Sequence, residues 1–198
     1  MKVGVLALQG DYREHIASIT ALGVSAYPVN RADEIEAIDA LIIPGGESTT
    51  MSKLAKAFDL FDLIKNRIAG GLPTYGSCAG MIMVAREIKD PASGQETFGG
   101  IDMLVKRNAF GRQVESFESD IEVEGIAGGS YRAVFIRAPW VESFGPDVQV
   151  LATADFEGKA HPVAVRQNSV LATSFHPELT EDHRIHRYFL EKVAGAQL

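Results

Sequence analysis

The chain has 198 residues but only one cysteine, Cys78. A lone cysteine cannot form an internal disulfide, so nothing in the sequence requires an oxidising compartment and we expect the protein in the cytoplasm. No apolar run approaches the roughly 20 residues that a membrane-spanning helix needs. The first residues, "MKVGVLALQGD", are apolar only briefly and lack the small-residue cleavage site of a signal peptide. We therefore expect no association with a membrane.

Basic residues are also few, with 19 Lys and Arg against 26 Asp and Glu and a net charge of -7. Nucleic-acid binding normally requires clustered Lys and Arg, so we expect no nucleic-acid partner. The remaining composition is that of an ordinary globular protein, with 46% hydrophobic and 23% charged residues. A chain of this length can bury about 70% of its unfolded surface, so we expect residues 1–198 to form one domain.

Apolar, β-branched runs alternate with helical periodicity in the first half of the chain. A strand at Val3–Leu8 precedes a helix from Tyr12 to about Leu22, with Asp11 as the expected N-cap and Glu14 as its capping-box partner. Strands are also expected at "SAYPVN", "ALIIP" and "LPTYGS", and helices at about 49–69 and at "AGMIMVAREI". This alternation predicts an α/β fold with a parallel sheet that is covered on both faces and binds ligands beyond the carboxyl ends of its strands.

The second half of the chain is strand-like and contains little helix. The segments "DMLVKRN", "SDIEVEG", "YRAVFIRAP", "VQVLATA", "PVAVRQ" and "VLATSF" are separated by short turns. We interpret them as an antiparallel extension of the same sheet. A final helix is expected from Glu181 onwards, and a flexible surface loop at Lys89 to Gly100.

Cys78 lies in "YGSCAG", between a predicted strand and a predicted helix, with glycine on both sides. This arrangement is typical of a nucleophile elbow, in which a strained turn presents the nucleophile and its small neighbours let the substrate approach. The start of a helix at this point also stabilises a thiolate. The alternative is a small buried cysteine that packs as a hydrophobe, but the elbow context favours the nucleophile.

A thiol nucleophile needs a base, and "SFHPEL" supplies His176 and Glu178 just after the last predicted strand. That position lies at the same carboxyl edge as Cys78, so His176 is predicted to accept the thiol proton while Glu178 orients the imidazole. In an extended segment, residues two apart point the same way. An ordinary surface turn is the alternative for His-Pro-Glu taken alone, and the pairing with the elbow favours the catalytic interpretation.

"PGGEST" (Pro44 to Thr49) is another glycine-rich turn at a strand end. It lacks the Gly-Lys-Ser/Thr ending of a phosphate-binding loop. Backbone N–H groups there are suited to an oxyanion or a substrate carboxylate. The alternative is a plain turn in which Ser48 or Thr49 caps the following helix.

Histidines and arginines elsewhere give weaker signals. His183 and His186 have a spacing that suits a metal on a helix, but no third ligand is nearby, so we expect a solvated helix face and no metal. Arg107, Arg112 and Arg137 adjoin apolar residues, where an arginine can bind a carboxylate or contact a partner protein. Solvated arginines at a sheet edge are the alternative.

The motifs "PGGEST", "YGSCAGM", "RNAFGRQ", "FIRAPW" and "SFHPELTEDHRIH" together resemble the glutaminase subunit family of pyridoxal 5'-phosphate synthases, which are triad-type glutamine amidotransferases. The similarity covers essentially the whole chain. It implies a flavodoxin-like three-layer sandwich with a mainly parallel sheet and an antiparallel extension. It also implies hydrolysis of L-glutamine to L-glutamate and ammonia through a cysteine thioester, with no cofactor.

The resemblance also implies roles for particular residues. Cys78 is implied as the nucleophile, His176 as the base and then the acid, and Glu178 as the orienting carboxylate. Glutamine binding is implied for six residues, namely Gly46, Glu47, Ser48, Arg107, Ile136 and Arg137. Backbone N–H groups near Gly46 and Ala79 are expected to form the oxyanion hole.

The implied partner is a barrel-shaped synthase subunit, which uses the ammonia, a pentose phosphate and a triose phosphate to make the vitamin B6 cofactor. We hypothesise that Gln9 and Gly10 couple docking of this partner to formation of the oxyanion hole. Two other functions remain to be compared with this one. A cysteine peptidase on the same scaffold needs an open peptide groove, and a redox-sensing interaction protein needs Cys78 but neither His176 nor Glu178.

Overall fold

A seven-stranded sheet forms the centre of the computed structural model, which describes residues 1–109 and 116–198. The strands of the described residues are β1 (Lys2–Leu6), β2 (Ser25–Val29), β3 (Ala40–Ile43), β4 (Thr74–Ser77), β5 (Ala85–Lys89), β6 (Ile101–Lys106), β7 (Ser116–Ile121), β8 (Tyr131–Ile136), β9 (Trp140–Phe144), β10 (Gln149–Phe156), β11 (Lys159–Gln167) and β12 (Val170–Thr173). The central order is β10-β11-β12-β4-β3-β1-β2. Five of these strands, β1 to β4 and β12, pair with one another in parallel. The predicted α/β fold with a mainly parallel sheet is therefore confirmed.

Helices connect the parallel strands and cover the sheet. They are α1 (Tyr12–Ala21), α2 (Ala32–Glu36), α3 (Ser48–Ala57), α4 (Phe61–Ala69), α5 (Ala79–Val84) and α6 (Arg184–Tyr188), which continues as a π-helical turn at Phe189–Val193. A short 3-10 turn, Pro177–Leu179, follows β12. None of the helices described is long and apolar enough to cross a membrane.

Side-chain alternation along the strands divides the core into two layers. In β3, Leu41 and Ile43 face a cluster that contains residues of α3 and α4, such as Met51 and Ile64. The intervening residue Ile42 faces the opposite cluster, which contains residues of α1, β8 and the C-terminal helix. Both faces of the sheet are therefore covered, as the sequence predicts for a three-layer sandwich.

The predicted antiparallel extension is only partly right. β10 and β11 do extend the central sheet beyond β12 in antiparallel fashion. The other strands form two separate sheets, β5-β6-β9 and β7-β8. In β6, Ile101, Met103 and Val105 are buried in the core on the side of α3 and α4. Alternating apolar residues indicate a strand with one covered face. In β6 that face is covered because the strand packs over the central sheet, and not because it pairs with an edge strand of that sheet.

The helix expected at about 49–69 is two helices, α3 and α4. A Schellman motif ends α3: the N–H of Leu60 donates to Ala55 O at 2.8 Å and the N–H of Asp59 donates to Lys56 O at 3.1 Å. Asp59 takes the left-handed conformation, with φ of 59°, that glycine usually takes there. The sequence lacks that glycine, so the break was not predicted. The end predicted for α1, at about Leu22, is confirmed: the helix ends at Ala21, and Gly23 takes the left-handed conformation with φ of 80°.

Two other local predictions were wrong, and one short helix was not predicted. Asp11 precedes α1, but its side chain makes no capping hydrogen bond, so the capping box with Glu14 is not formed. The helix predicted to run through "AREI" stops at Val84, because Ala85 is extended and begins β5. The short helix α2, between β2 and β3, was not among the helices expected from the sequence.

Candidate active site

Three adjacent strand ends bring the predicted catalytic residues together. β4 lies between β3 and β12, with Gly76 opposite Ile43 and Ser77 opposite Thr173. The N–H of Cys78 donates to Thr173 O at 2.8 Å, which continues the ladder one residue beyond the strand. The carboxyl ends of β3, β4 and β12 therefore place the glycine turn, Cys78 and the His176 segment side by side, as the order of a parallel sheet requires.

The backbone of the elbow is strained at Cys78, which has φ of 49° and ψ of -102°. A side chain on either flanking glycine would collide with main-chain atoms. A Cβ on Gly76 would overlap the Gly80 carbonyl, and a Cβ on Gly80 would overlap the carbonyl oxygen of Ile43. Helix α5 starts directly after the cysteine, at Ala79. The predicted elbow, with its strained residue and its required glycines, is thus present.

His176 is held between a carboxylate and the cysteine. Its Nδ1–H donates to Glu178 Oε1 at 2.7 Å, and its backbone N–H donates to Val134 O at 2.9 Å. Glu178 lies in a 3-10 turn, so the expected extended geometry was wrong, although the two side chains still meet. Burial alone would lower the pKa of His176, but its hydrogen bonds with Cys78 and Glu178 raise this pKa above its usual range.

The thiol and the imidazole open onto a cavity of about 410 Å³. Its lining contains every residue predicted to bind glutamine or to form the oxyanion hole, together with two of the three predicted catalytic residues: Gly46, Glu47, Ser48, Cys78, Ala79, Arg107, Ile136, Arg137 and His176. Glu178 is not part of this lining and is buried beside His176. Burial raises the pKa of the Glu178 carboxyl, while the hydrogen bond from His176 opposes that effect.

The end of β8 lies against the thiol. Ile136 O is 3.8 Å from Cys78 Sγ. Arg137, the next residue, has a positive φ of 43°. This conformation turns the chain at the cavity wall, where both residues were predicted to bind substrate. Arg112, the other arginine considered from the sequence, lies outside the described residues.

Glu47, not Ser48 or Thr49, caps helix α3. Its carboxylate accepts from the backbone N–H of Thr49 at 3.2 Å and of Thr50 at 2.7 Å. Burial opposes ionisation, but hydrogen bonds from Thr50 and Thr49 lower the pKa of Glu47. The capping alternative was therefore right about a cap but wrong about the residue, because a glutamate placed before the first turn reaches its N–H groups.

Gln95 is a residue of the site that sequence reasoning missed. It lies in the segment expected to be a flexible loop, but it is only 8% exposed. Its Oε1 accepts from Arg107 Nη1 at 2.7 Å, and its Nε2 donates to Ser48 Oγ at 3.0 Å. An isolated glutamine in a polar loop carries no periodic signal, so only the folded structure reveals that it connects two predicted substrate-binding residues.

Other groups complete the cavity wall. Gln9, which follows β1, donates through Nε2 to Glu47 O at 3.2 Å and packs against Gly46. Asp11 Oδ2 lies 4.0 Å from His176 Nδ1, and its side chain is 45% exposed. Asn108 also lines the cavity. The end of β1 thus contributes to the same edge as the three strand ends above.

Asp11, His176 and Glu178 form a group whose ligand atoms lie within 4.8 Å of one another, a separation that suits a metal ion. His176 and Glu178, however, already share a short hydrogen bond, so the expectation of no metal stays a prediction. The solvated helix face expected for His183 and His186 was wrong for His186, whereas His183 is half-buried. His186 is 0% exposed, and its Nε2 lies 2.9 Å from Nδ1 of His15, which is also buried. The polar residues around His186 in the sequence do not reveal that this face of α6 packs against the protein core.

A cysteine on a strained elbow, beside an imidazole that a buried carboxylate orients, defines a thiol-dependent acyl-transfer enzyme on an α/β sheet. The chain belongs to the SNO glutamine amidotransferase family, whose model matches residues 5–195. The resemblance read from the motifs and the predicted enzyme class, a glutamine amidotransferase, are therefore confirmed.

Individual relatives agree with this assignment. The chain is 60% identical over 195 residues to "Pyridoxal 5'-phosphate synthase subunit PdxT" of Acidothermus cellulolyticus, covering 98% of this chain and 94% of that protein. It is 58% identical over 191 residues to the protein of the same name from Streptomyces coelicolor, covering 96% and 93%. A crystal structure of a glutamine amidotransferase superposes with a TM-score of 0.88 at 50% identity, covering 98% and 99%. A glutamine amidotransferase from Thermotoga maritima, at 12% identity and a TM-score of 0.65 with 99% of each chain covered, shares the fold.

Proposed function

We propose that this chain hydrolyses L-glutamine to L-glutamate and ammonia as the glutaminase subunit of a pyridoxal 5'-phosphate synthase. The observation that carries the proposal is the meeting of Cys78, His176 and Glu178 beside a cavity that can hold a free amino acid. Membership of the amidotransferase family supports the glutaminase reaction. The shared name of the relatives supports the assignment to vitamin B6 synthesis.

In the proposed mechanism, the Cys78 thiolate attacks the side-chain amide carbon of glutamine. His176, which has received the thiol proton, protonates the departing nitrogen so that ammonia leaves and a γ-glutamyl thioester remains. Water that the same imidazole deprotonates then hydrolyses the thioester to glutamate. Glu178 stabilises the imidazolium in both halves, since its Oε1 accepts the Nδ1–H of His176.

Backbone N–H groups near Gly46 and Ala79 are proposed to hold the oxyanion of both tetrahedral intermediates. Both residues line the cavity, one after β3 and one at the start of α5. Losing one such donor typically reduces kcat by about 10² to 10³. Gln9 packs on Gly46, which fits the hypothesis that Gln9 and Gly10 couple partner docking to this hole.

Substrate recognition is proposed for the polar groups of the cavity wall. Arg107 and Arg137 supply positive charge for the α-carboxylate of glutamine, because guanidinium groups bind carboxylates in a bidentate manner. The other proposed contacts with glutamine come from Gly46, Glu47 and Ser48 in the turn after β3 and from Ile136 at the end of β8.

The proposed partner is the synthase subunit that consumes the ammonia, and the chemistry requires no cofactor of this chain. We also propose that residues 1–198 act as one glutaminase domain. The cytoplasm is the proposed compartment, because a free thiol such as Cys78 persists in a reducing environment.

The test is release of ammonia and glutamate from glutamine, measured with and without the cognate synthase subunit. His176→Gln is expected to reduce kcat by about 10³ or more, since it removes the base. His161→Gln is the matched control, because His161 is also buried but stacks on Trp140, 3.7 Å between ring centroids, and does not line the cavity. That control is expected to stay within about threefold of the unmodified chain, because surface or remote changes leave the reacting groups in place.

A casein substrate in a parallel assay separates the proposal from a cysteine peptidase. Cleavage of casein without release of ammonia from glutamine would replace the proposal with that function. Equal loss in both histidine variants would remove His176 from its proposed role.

A further inference from the structure

Two buried histidines, His15 in α1 and His186 in α6, are not used by the proposed mechanism. Both are 0% exposed, and neither lines the cavity. His15 Nδ1 lies 2.9 Å from His186 Nε2. On its other side, His15 Nε2 lies 3.0 Å from Ser77 Oγ and 3.4 Å from Glu178 Oε2. The pair thus reaches from the C-terminal helix to the carboxylate that holds His176.

The second oxygen of Glu178 makes this contact significant. Oε1 accepts from His176, whereas Oε2 is buried and has no hydrogen-bond partner within the described residues. A buried carboxylate oxygen without a donor is costly and raises the tendency of the acid to stay protonated. His15 Nε2, at 3.4 Å, is placed to direct an N–H at that oxygen, shared with Ser77 Oγ.

The hydrogen-bond pattern selects one protonation arrangement for the pair. Burial, followed by the neighbouring His186, holds the pKa of His15 well below its usual range, and burial lowers the pKa of His186 to about 3. Both rings are therefore neutral at pH 7 and carry one N–H each. Either His186 Nε2–H donates to His15 Nδ1, or His15 Nδ1–H donates to His186 Nε2.

The second arrangement fails on two counts. It places the proton of His186 on Nδ1, which is buried and has no partner among the described residues. It also points the lone pair of His15 Nε2 at the Glu178 carboxylate. The first arrangement leaves only an unpaired acceptor on His186 Nδ1, and it gives His15 an N–H that points at Ser77 and Glu178.

We propose that His15 is a positioning residue for the reaction, whose Nε2–H, fixed by donation from His186 Nε2–H, steadies the buried Oε2 of Glu178. This keeps the carboxylate ionised and oriented, so that its Oε1 holds the His176 imidazole toward Cys78. The inference rests on the proposed function, because Glu178 affects catalysis only if His176 acts on the thiol. Residues that orient the histidine ligands of metal sites change activity by about 10 to 100-fold when they are replaced, and we expect an effect of that size here.

Several titratable groups face Glu178. They come from the loop before α1, from α1, β4 and β8, and from the segment after β12, namely Asp11, His15, Tyr75, Tyr131 and His176. The two tyrosines stay neutral because burial raises the pKa of each. His15 is therefore the neutral imidazole donor whose removal tests the proposal.

The first test does not depend on activity. In the full chain with 15N-labelled histidine, two-bond nitrogen–proton correlations report which ring nitrogen carries the proton. We expect His15 and His186 both to be neutral and protonated on Nε2 from pH 6 to 8. Protonation of either ring on Nδ1 would overturn the proposal, whatever the enzyme does.

The second test compares His15→Leu with His15→Gln in the complex with the synthase subunit. The leucine keeps a buried side chain without a donor, and the glutamine keeps an N–H near the position of Nε2. We expect His15→Leu to lower kcat by about 10 to 100-fold with little change in KM. The acid limb of the kcat profile should move to higher pH by about one unit, because Glu178 loses a donor to its charged form. His15→Gln should recover most of both changes.

Tyr75→Phe is the matched control. Tyr75 packs edge-on against both histidines, with ring centroids 6.0 Å apart, and its hydroxyl bonds Thr173 at 2.8 Å. This variant disturbs the same part of the core without removing the N–H near Glu178. An equal shift of the acid limb in Tyr75→Phe, or no recovery in His15→Gln, would show that packing alone is responsible and would overturn the proposal. If His15→Leu does not fold, His15→Gln and the ring-proton measurement still decide it.

Discussion

The two sides of the His176–Glu178 pair differ in exposure and in chemistry. On the cavity side, charged groups are partly open to solvent, with 45% of the Asp11 side chain and 52% of the Glu47 side chain exposed. On the inner side, the side chains of His15 and Glu178 are 0% exposed. The cavity side is open enough to select a substrate. The inner side fixes the charge and orientation of Glu178, since electrostatic interactions are stronger away from water.

The elbow at Cys78 is where the two sides meet, and among the changes that test this comparison, breaking the elbow has the largest expected effect. In Gly80→Ala, the new Cβ would overlap the carbonyl oxygen of Ile43 in β3, so the backbone must shift. A displacement of about 1 Å at a reacting group can cost about 100-fold in rate. We therefore expect ammonia release to fall by about 100-fold or more, with slower formation of a covalent adduct between Cys78 and a glutamine-like electrophile.

Gly70→Ala is the control for that change. Gly70 has an ordinary φ of -77°, and the atom nearest to a new Cβ, Asn66 O, would be 3.2 Å away. This variant should keep most of the activity. If both glycine variants react alike, the close approach of β3 and α5 is not what holds the elbow in place.

Acid is expected to reduce the stability of the fold more through the inner side than through the cavity side. Burial lowers the pKa of His186 to about 3, whereas an unfolded histidine titrates near 6.5. Below pH 6.5 the unfolded state binds a proton that the folded state does not, so stability is lost as the pH falls. Between pH 7.5 and pH 5 this one group lowers the free energy of unfolding by about 2 kcal/mol.

His186→Gln keeps a donor toward His15 but cannot titrate. Denaturant unfolding at both pH values should therefore show a loss about 2 kcal/mol smaller in this variant than in the unmodified chain. The change with pH is compared, so a constant cost of the substitution cancels. The same pH dependence in both proteins would mean that His186 is protonated in the folded state, which contradicts a dry inner side.

The sequence alone predicts much of the cavity side and little of the inner side. Strand and helix periodicity places Cys78 and His176 at the ends of strands in one sheet, and the glycine turns identify Gly46 and the elbow. The contact of His15 with His186 joins residues 171 positions apart, so no local pattern reports it. One usable signal existed: His15 shares a face of α1 with buried Ile19, four residues on, which indicates a histidine that faces the core.

Local structure was missed where a residue took an unusual conformation or where packing decided between alternatives. Asp59 ends α3 in a role that glycine usually fills, so composition gave no sign of the break. The alternating residues of β6 fit either an added edge strand or a second layer, and only packing selects the layer. Gln95 is held in place by residues distant in the sequence, so no local pattern reports its role. The smallest effect that we predict concerns this residue.

Gln95→Leu is expected to weaken glutamine binding without affecting the chemistry. Its side chain joins Arg107 to Ser48, and both line the cavity, whereas Gln95 itself does not. Losing hydrogen bonds of this kind costs about 1 kcal/mol of positioning energy, which corresponds to about a fivefold increase in KM. The value of kcat should stay within about twofold, because the elbow and the triad keep their geometry.

Gln167→Leu is the matched control, because Gln167 also accepts from another segment, the N–H of Asp102 at 2.6 Å, but does so away from the cavity. Its KM should be unchanged, whatever it does to stability. A large fall in kcat for Gln95→Leu would mean that the cavity wall also controls the protonation or the orientation of the catalytic groups. The separation of the two sides of His176 would then be wrong, because a group on the substrate side would be acting on the charge that the inner side is expected to set.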